Sequence, residues 1–260
     1  MLAAGMDLII SLRTPLGAFF MPEGEIMSET TNLIIAIATI VAALALFVFA
    51  CFDKKRFSTR AIAYGAICLA VSFGLSYLRI FRMPQGGSIT PASMLPVMIY
   101  AYLFGPKKGV LIGLAYAGLQ SIQDLFFVHP LQYVLDYPVA FMLIGLVGFA
   151  KYIPNIRLAA PQKVSKNLSL EKLKQSLYRN LNDYPIGFIV GIVVACLFRF
   201  LCHTVAGVVF FAEYAGEQNV WAYSLAYNSF VWVECALCIA AGGLLFANKS
   251  ARKFLFRFEN

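Results

Sequence analysis

RFLCHTVAGVVFFAEYAGEQNVWAYSLAYN, residues 199–228, carries a base, a histidine, aromatics and an amide on two apolar segments. Each segment belongs to a run long enough to cross a bilayer, which takes about 20 apolar residues. In the first, Arg199, His203, Gly207 and Phe211 recur every four residues. On a helix that is one slowly drifting stripe. In the second, Tyr223 and Tyr227 share a face, with Asn228 beside them. A helix in lipid has no use for a polar stripe unless something polar docks on it.

The remainder of the chain extends the membrane reading. Of 260 residues, 60% are hydrophobic and 13% charged, and the mean hydropathy is +0.75. Soluble domains carry roughly 25% charged residues. The fold class expected is therefore all-α, a polytopic membrane helix bundle, without room for another large soluble domain. The net charge of +8 raises nucleic acid as a partner. Its distribution speaks against that. Of the 21 Lys and Arg, 17 lie at 53–60, 105–108, 151–182 and 249–260, all between or after apolar runs. This is the positive-inside pattern, which points those segments toward the cytoplasm. The implied partner is the lipid bilayer of a cell membrane, with no nucleic acid.

Taken in order, residues 1–29 read as a tail on the outer face, without the basic region that opens a cleaved signal. Residues 30–52 hold an extra N-terminal transmembrane helix whose apolar run is Asn32–Cys51. A six-helix bundle follows over 58–250. Its spans are Thr59–Ile80, Ala92–Phe104 (broken by Pro96), Gly109–Phe127, Leu131–Tyr152, Ile186–Phe211 and Ala222–Phe246. The directions alternate, so the basic tail 251–260 and the C-terminus are expected in the cytoplasm. Within 153–182, Leu170, Leu173, Leu177 and Leu181 form a seam among Lys172, Lys174 and Arg179. That describes a basic amphipathic helix on the cytoplasmic surface. RMPQGGSITP, residues 82–91, is an outer loop shaped by Gly86-Gly87 between two prolines. Ala66, Ala70 and Gly74 form a row of small residues that lets another helix come close, from this bundle or from a partner subunit.

Enzyme chemistry finds little support. The sequence has no G-x-x-x-x-G-K-[ST], no H-E-x-x-H and no G-x-S-x-G, and His129 and His203 are its two histidines. Six cysteines lie in or beside spans. Cys235 and Cys238 sit mid-helix without a second pair and read as small buried hydrophobes rather than metal ligands. The polar groups instead converge at one level. Asp136, His203, Phe211, Tyr223, Tyr227 and Asn228 all fall near the outer ends of their helices, on the side of the 82–91 loop. Gln120 and Asp124 share a face near the outer end of theirs. Glu234 lies deeper, roughly 16 Å below Tyr223 at about 1.5 Å per residue. It is placed either to line a floor or to pair with Arg199 or another basic group. Carboxylates with several aromatics suit a small organic cation bearing a flat heterocycle. Amide and imidazole groups can read ring nitrogens. These residues alone leave a vitamin, an amine drug and a nucleobase open.

PQGGSIT (84–90), SMLP (93–96), DYPVAF (136–141), R-x-x-x-H-x-x-x-G (199–207) and YSLAYN (223–228) occur in that order. Together they resemble the thiamine-specific substrate-binding subunits of energy-coupling factor (ECF) vitamin transporters, over about 58–250. The resemblance implies a six-helix bundle with a thiamine pocket near the outer surface. It implies ligand contacts at Asp136, Tyr137, Arg199, His203, Phe211, Tyr223 and Asn228, with Tyr227 on the same face. The first outer loop, with Gln85, Gly86, Gly87 and Ser88, would cap the pocket. It further implies no cofactor and no ATP hydrolysis by this chain, with an ECF transmembrane coupling subunit and two ATPase subunits as partners. Ala66 and Ala70 are the candidate docking face. Two features depart from the pattern. Asp136 and Phe211 stand where some members carry Glu and Trp, and the extra N-terminal helix has no counterpart in the six-helix core. Three rival readings are a secondary carrier for an organic cation, a membrane enzyme using His203 and Asp136, and a binding subunit for riboflavin or biotin. The first is disfavoured because no inverted repeat is apparent.

Overall fold

The computed structural model describes residues 29–52, 57–153 and 186–256. The expectations for the tail through residue 28, the basic run 53–56, the amphipathic segment 154–182 and residues 257–260 lie outside the described residues. The helices are α1 (Glu29–Cys51), α2 (Thr59–Ser76), α3 (Leu95–Phe104), α4 (Pro106–Gln123) and α5 (Pro130–Tyr152). They continue with α6 (Ile186–Phe210), α7 (Val220–Ala247, with a turn at Ser229) and α8 (Lys249–Phe256). Five of them, α1, α2, α5, α6 and α7, are long and apolar enough to cross a membrane, and α3 is a shorter apolar helix. The chain is a multi-pass membrane protein. α1 to α7 overlap the seven expected spans in order, with α4 outside the set apolar enough to cross by itself.

Several boundaries differ from the sequence reading, each for a local reason. α2 ends at Ser76 rather than Ile80, because the chain turns and Ile80 N–H donates to the Ile89 carbonyl at 2.8 Å. The outer loop is not purely a turn. β1 (Phe81–Arg82) pairs antiparallel with β2 (Ser88–Ile89). α3 begins at Leu95 rather than Ala92, and Pro96 sits in its first turn. There the missing N–H has no intrahelical partner to lose, so the proline starts this helix instead of breaking it. α4 stops at Gln123, short of Phe127. α7 starts at Val220, capped by the Asn219 side chain, which accepts from Trp221 N–H at 3.0 Å and Ala222 N–H at 3.1 Å.

Packing in the half away from the hairpin relies on missing side chains. A Cβ at Gly145 of α5 would lie 2.2 Å from the Val110 nitrogen of α4. One at Gly148 would lie 2.4 Å from the Pro106 nitrogen. Lipid tails are as apolar as leucine, so helices pair here through close backbone approach rather than through a hydrophobic gradient. α1 uses the same device. Ala36, Ala43 and Ala50, seven apart, are buried against α4, α5 and α6, while Ile34, Val41 and Leu44 face outward. The extra helix thus lies on the bundle along a thin alanine seam.

The ends of the bundle differ in charge. Lys107 donates to the Phe52 carbonyl at 3.1 Å, and Lys151 to the Leu103 carbonyl at 3.2 Å. These lysines gather at the end where α1, α3 and α5 finish. The β-hairpin covers the other end.

Candidate ligand-binding site

α5 is bent into shape by its own sequence. Pro138 has no N–H for a regular helical bond and crowds the preceding turn. The chain answers with a π turn over Leu135–Val139 and then a tighter 3-10 helix over Leu143–Tyr152. Such π turns are frequent at functional sites. Asp136 lies within this one.

Asp136 Oδ1 lies 2.7 Å from His203 Nδ1, and its Oδ2 accepts from Gln132 Nε2 at 2.7 Å. Arg199 lies one helical turn before the histidine and donates from Nε to His203 Nε2 at 3.2 Å. An accepting Nε2 carries no proton. The imidazole proton therefore sits on Nδ1 and points at Asp136. Arg199 Nη1 also reaches Glu234 Oε2 at 3.0 Å, both side chains being buried, and its guanidinium lies 4.7 Å above the Phe141 ring. Glu234 Oε1 accepts from the Thr90 amide at 3.2 Å and the Thr90 hydroxyl at 2.8 Å. A continuous polar chain thus runs Gln132–Asp136–His203–Arg199–Glu234–Thr90. It crosses from α5 through α6 and α7 to the foot of the hairpin. The chain sets two carboxylates, Asp136 and Glu234, against one guanidinium, Arg199.

This array borders a cavity of about 100 Å³. All four stripe residues, Arg199, His203, Gly207 and Phe211, line it, as do Asp136, Tyr137, Tyr223, Tyr227 and Asn228. Phe211 is buried just past the end of α6, with its ring centroid 5.9 Å from Phe126. Glu234 settles both alternatives left open for it: it lines the cavity and pairs with Arg199.

The predicted residues do not all do the same work. The Asn228 amide nitrogen is committed to the His203 carbonyl at 3.2 Å and the Ser224 carbonyl at 2.9 Å. It therefore fastens α7 to α6 at the cavity wall. Gly207 permits that contact, since a Cβ there would lie 2.2 Å from Ser224 Oγ. Tyr137 presents its ring, but its hydroxyl donates to the Asp124 carbonyl at 2.7 Å and accepts from Phe126 N–H at 2.8 Å. Tyr223 and Tyr227 reach up to the hairpin. Tyr227 Oη accepts from Gln85 N–H at 2.8 Å and donates to the Gly86 carbonyl at 3.2 Å. Tyr223 Oη accepts from Gln85 Nε2 at 2.9 Å.

The hairpin is the roof. Gly86 and Gly87 have φ of +84° and +88°, a region that favours glycine. A Cβ on Gly87 would meet the Phe230 ring at 2.8 Å, and one on Gly86 would meet Phe126 at 3.1 Å. Gln85, Gly86, Gly87 and Ser88 all face the cavity. A clasp holds the roof to α4, with Asp124 bridging Arg79 at 3.1 Å and Arg82 at 2.7 Å.

Sequence reasoning missed Gln132, Phe126 and Thr90. Gln132 had a signal, since it precedes Asp136 by one turn. Phe126 had none, because it follows the end of α4 where no periodicity applies. By contrast, Ala66, Ala70 and Gly74 all face away from the bundle, and nothing comes within 4 Å of a Cβ placed on Gly74. The row of small residues therefore does not serve packing among the described helices.

Comparison with known proteins follows the same outline. The family model described as "Thiamine transporter protein" matches residues 62–254. The thiamine transporter ThiT of Bacillus subtilis (strain 168) is 32% identical over 165 residues, covering 60% of this chain and 76% of that protein. The thiamine transporter ThiT of Lacticaseibacillus paracasei is 29% identical over 165 residues, covering 63% of this chain and 66% of the relative. A solved structure of ThiT from Listeria monocytogenes superposes with a TM-score of 0.51 at 21% identity, over 72% of this chain and 91% of that one. That last likeness concerns the fold. α1 lies wholly ahead of the region the family model matches.

Proposed function

The chain belongs to the thiamine transporter protein family, and from that premise we propose that it captures extracellular thiamine in the cavity beneath the hairpin. It is a transporter component and not an enzyme. The observation that carries the binding site is the Asp136–His203–Arg199–Glu234 array, with two carboxylates to one guanidinium beside aromatic walls. Thiamine is a monocation with a flat heterocycle at each end. One unbalanced carboxylate offsets its charge, and ring faces attract what the carboxylate does not reach. Asp136 supplies the counter-charge, His203 and Arg199 hold that carboxylate in place, and Tyr137, Phe211, Tyr223 and Tyr227 enclose the rings. Asn228 acts by fixing the α6–α7 wall. Gln85, Gly86, Gly87 and Ser88 close over the bound vitamin.

The chain has no nucleotide-binding loop, so energy comes from elsewhere. It docks on a separate ECF transmembrane coupling subunit that carries two ATPases, and the bundle tips in the membrane to release thiamine inside. The lysine-rich end and the C-terminus face the cytoplasm, following the positive-inside rule. The exposed row Ala66, Ala70, Gly74 on α2 is the docking face, because close approach needs small side chains.

Calorimetric titration of the purified protein with thiamine tests the first part. Losing one member of a buried charge pair costs roughly 3–5 kcal/mol, so Asp136→Ala should weaken binding by about a hundredfold or more. Unchanged affinity in that variant would remove the assignment. For docking, Ala66→Trp should abolish co-purification with the coupling subunit while thiamine affinity holds. Retained co-purification would place the contact on another face.

A further inference from the structure

α4 supplies one wall of the cavity through Tyr116 and Gln120, one turn apart on one face, with Asp124 just past its end. Two of these have their polar atoms engaged. Tyr116 Oη donates to the Ser72 carbonyl at 3.3 Å, and Asp124 holds Arg79 and Arg82. Gln120 stands between them, and its Nε2 is buried without a hydrogen-bond partner among the described residues. Three other buried side-chain atoms share that condition, Asn32 Oδ1, Ser72 Oγ and Trp221 Nε1, and none of their residues lines the cavity. A buried amide without a partner is unfavourable. At a cavity wall, the natural partner is what fills the cavity.

We propose that Gln120 is a specificity-determining contact, donating an amide N–H to a ring nitrogen on the uncharged heterocycle of the ligand. This rests on the thiamine reading above and deepens it. An amide N–H cannot favour a positive centre, so Gln120 does not face the cationic ring. The carboxylate that offsets the charge belongs to α5, whereas Gln120 comes from α4. The two elements therefore read different parts of the molecule. The pyrimidine of thiamine offers two ring nitrogens as acceptors, and the hydroxyethyl oxygen is the competing acceptor.

The test uses the full chain, purified in detergent, with Gln120→Met as a variant of similar volume lacking the donor and Gln120→Leu as a second. Thiamine affinity is measured calorimetrically, and thermal unfolding is followed without ligand. One neutral hydrogen bond corresponds to about a 3- to 10-fold loss of affinity. Both variants should show that loss, and their ligand-free unfolding temperature should be no lower than that of the parent, because an unpaired buried donor has been removed. With a thiamine analogue in which a pyrimidine nitrogen is replaced by C–H, parent and variants should bind equally for one of the two nitrogens. With an analogue lacking the terminal hydroxyl, the difference should persist. Equal thiamine affinity in parent and variants overturns the inference. So does a loss that vanishes only with the dehydroxylated analogue, or one accompanied by a lower ligand-free unfolding temperature. A parent protein that fails to bind thiamine would instead overturn the functional reading itself.

Discussion

The two halves of this bundle are built from the same helices by opposite means. In the half away from the hairpin, α4 and α5 meet through Gly109, Gly145 and Gly148, with backbone against backbone. In the half beneath the hairpin, α5, α6 and α7 meet through Asp136, His203, Arg199 and Glu234, with side chain against side chain. The first arrangement brings backbones close enough to exclude even a Cβ at these positions. The second leaves a cavity of about 100 Å³. Stability in lipid asks for close contact, and a site asks for separated helices whose polar groups satisfy one another. The chain meets both demands by assigning them to different depths.

The contrast breaks first at the charged half. Glu234→Ala leaves the Arg199 guanidinium buried without its carboxylate, and thermal unfolding should report a loss of about 3–5 kcal/mol. Changing both Arg199 and Glu234 to Met should recover most of that stability but not thiamine binding. Recovery of binding as well would mean that the pair serves structure alone. Next is the packed half. Gly145→Val drives a side chain into the α4 backbone, for which about 3 kcal/mol is expected, read as a lower unfolding temperature. The fraction still folded should bind thiamine normally, since Gly145 does not line the cavity. A selective loss of affinity there would couple the halves more tightly than their geometry does. Smallest is the roof. Tyr227→Phe removes the bonds to Gln85 and Gly86 and should raise the thiamine release rate about 5-fold, at roughly 1 kcal/mol, with little change in association. Stopped-flow kinetics separates the two rates, and slower association with unchanged release would show that Tyr227 does not latch the roof.

Much of this was legible in the sequence because lipid is a strict solvent. A backbone in hydrocarbon must satisfy its own hydrogen bonds, so apolar runs become helices and their order follows directly. The four-residue recurrence of Arg199, His203, Gly207 and Phe211 was visible for the same reason, since helical geometry puts such residues on one stripe. Where the chain leaves the regular helix, that logic fails. Pro96 looked like a break and is a helix start. Leu78 and Ile80 looked like the end of a span and belong to the turn before the hairpin. Phe126 sits past a helix end, where no repeat marks it.

Reading residues alone yields a multi-pass helical bundle, the depth at which its ionisable residues gather, and the family to which five short motifs point. The first two follow from local rules: a hydrophobic length, a helical repeat, a bias in the placement of lysine and arginine. The family rests on the resemblance of the motifs. Which partner each polar group takes emerges from the packed helices. Glu234 pairs with Arg199 and holds Thr90, Asn228 fastens two helices, Tyr137 ties down a loop, and Gln120 is left facing the cavity. A hydrogen bond depends on positions set to a few tenths of an ångström by helices far apart in the chain, and no local pattern encodes that.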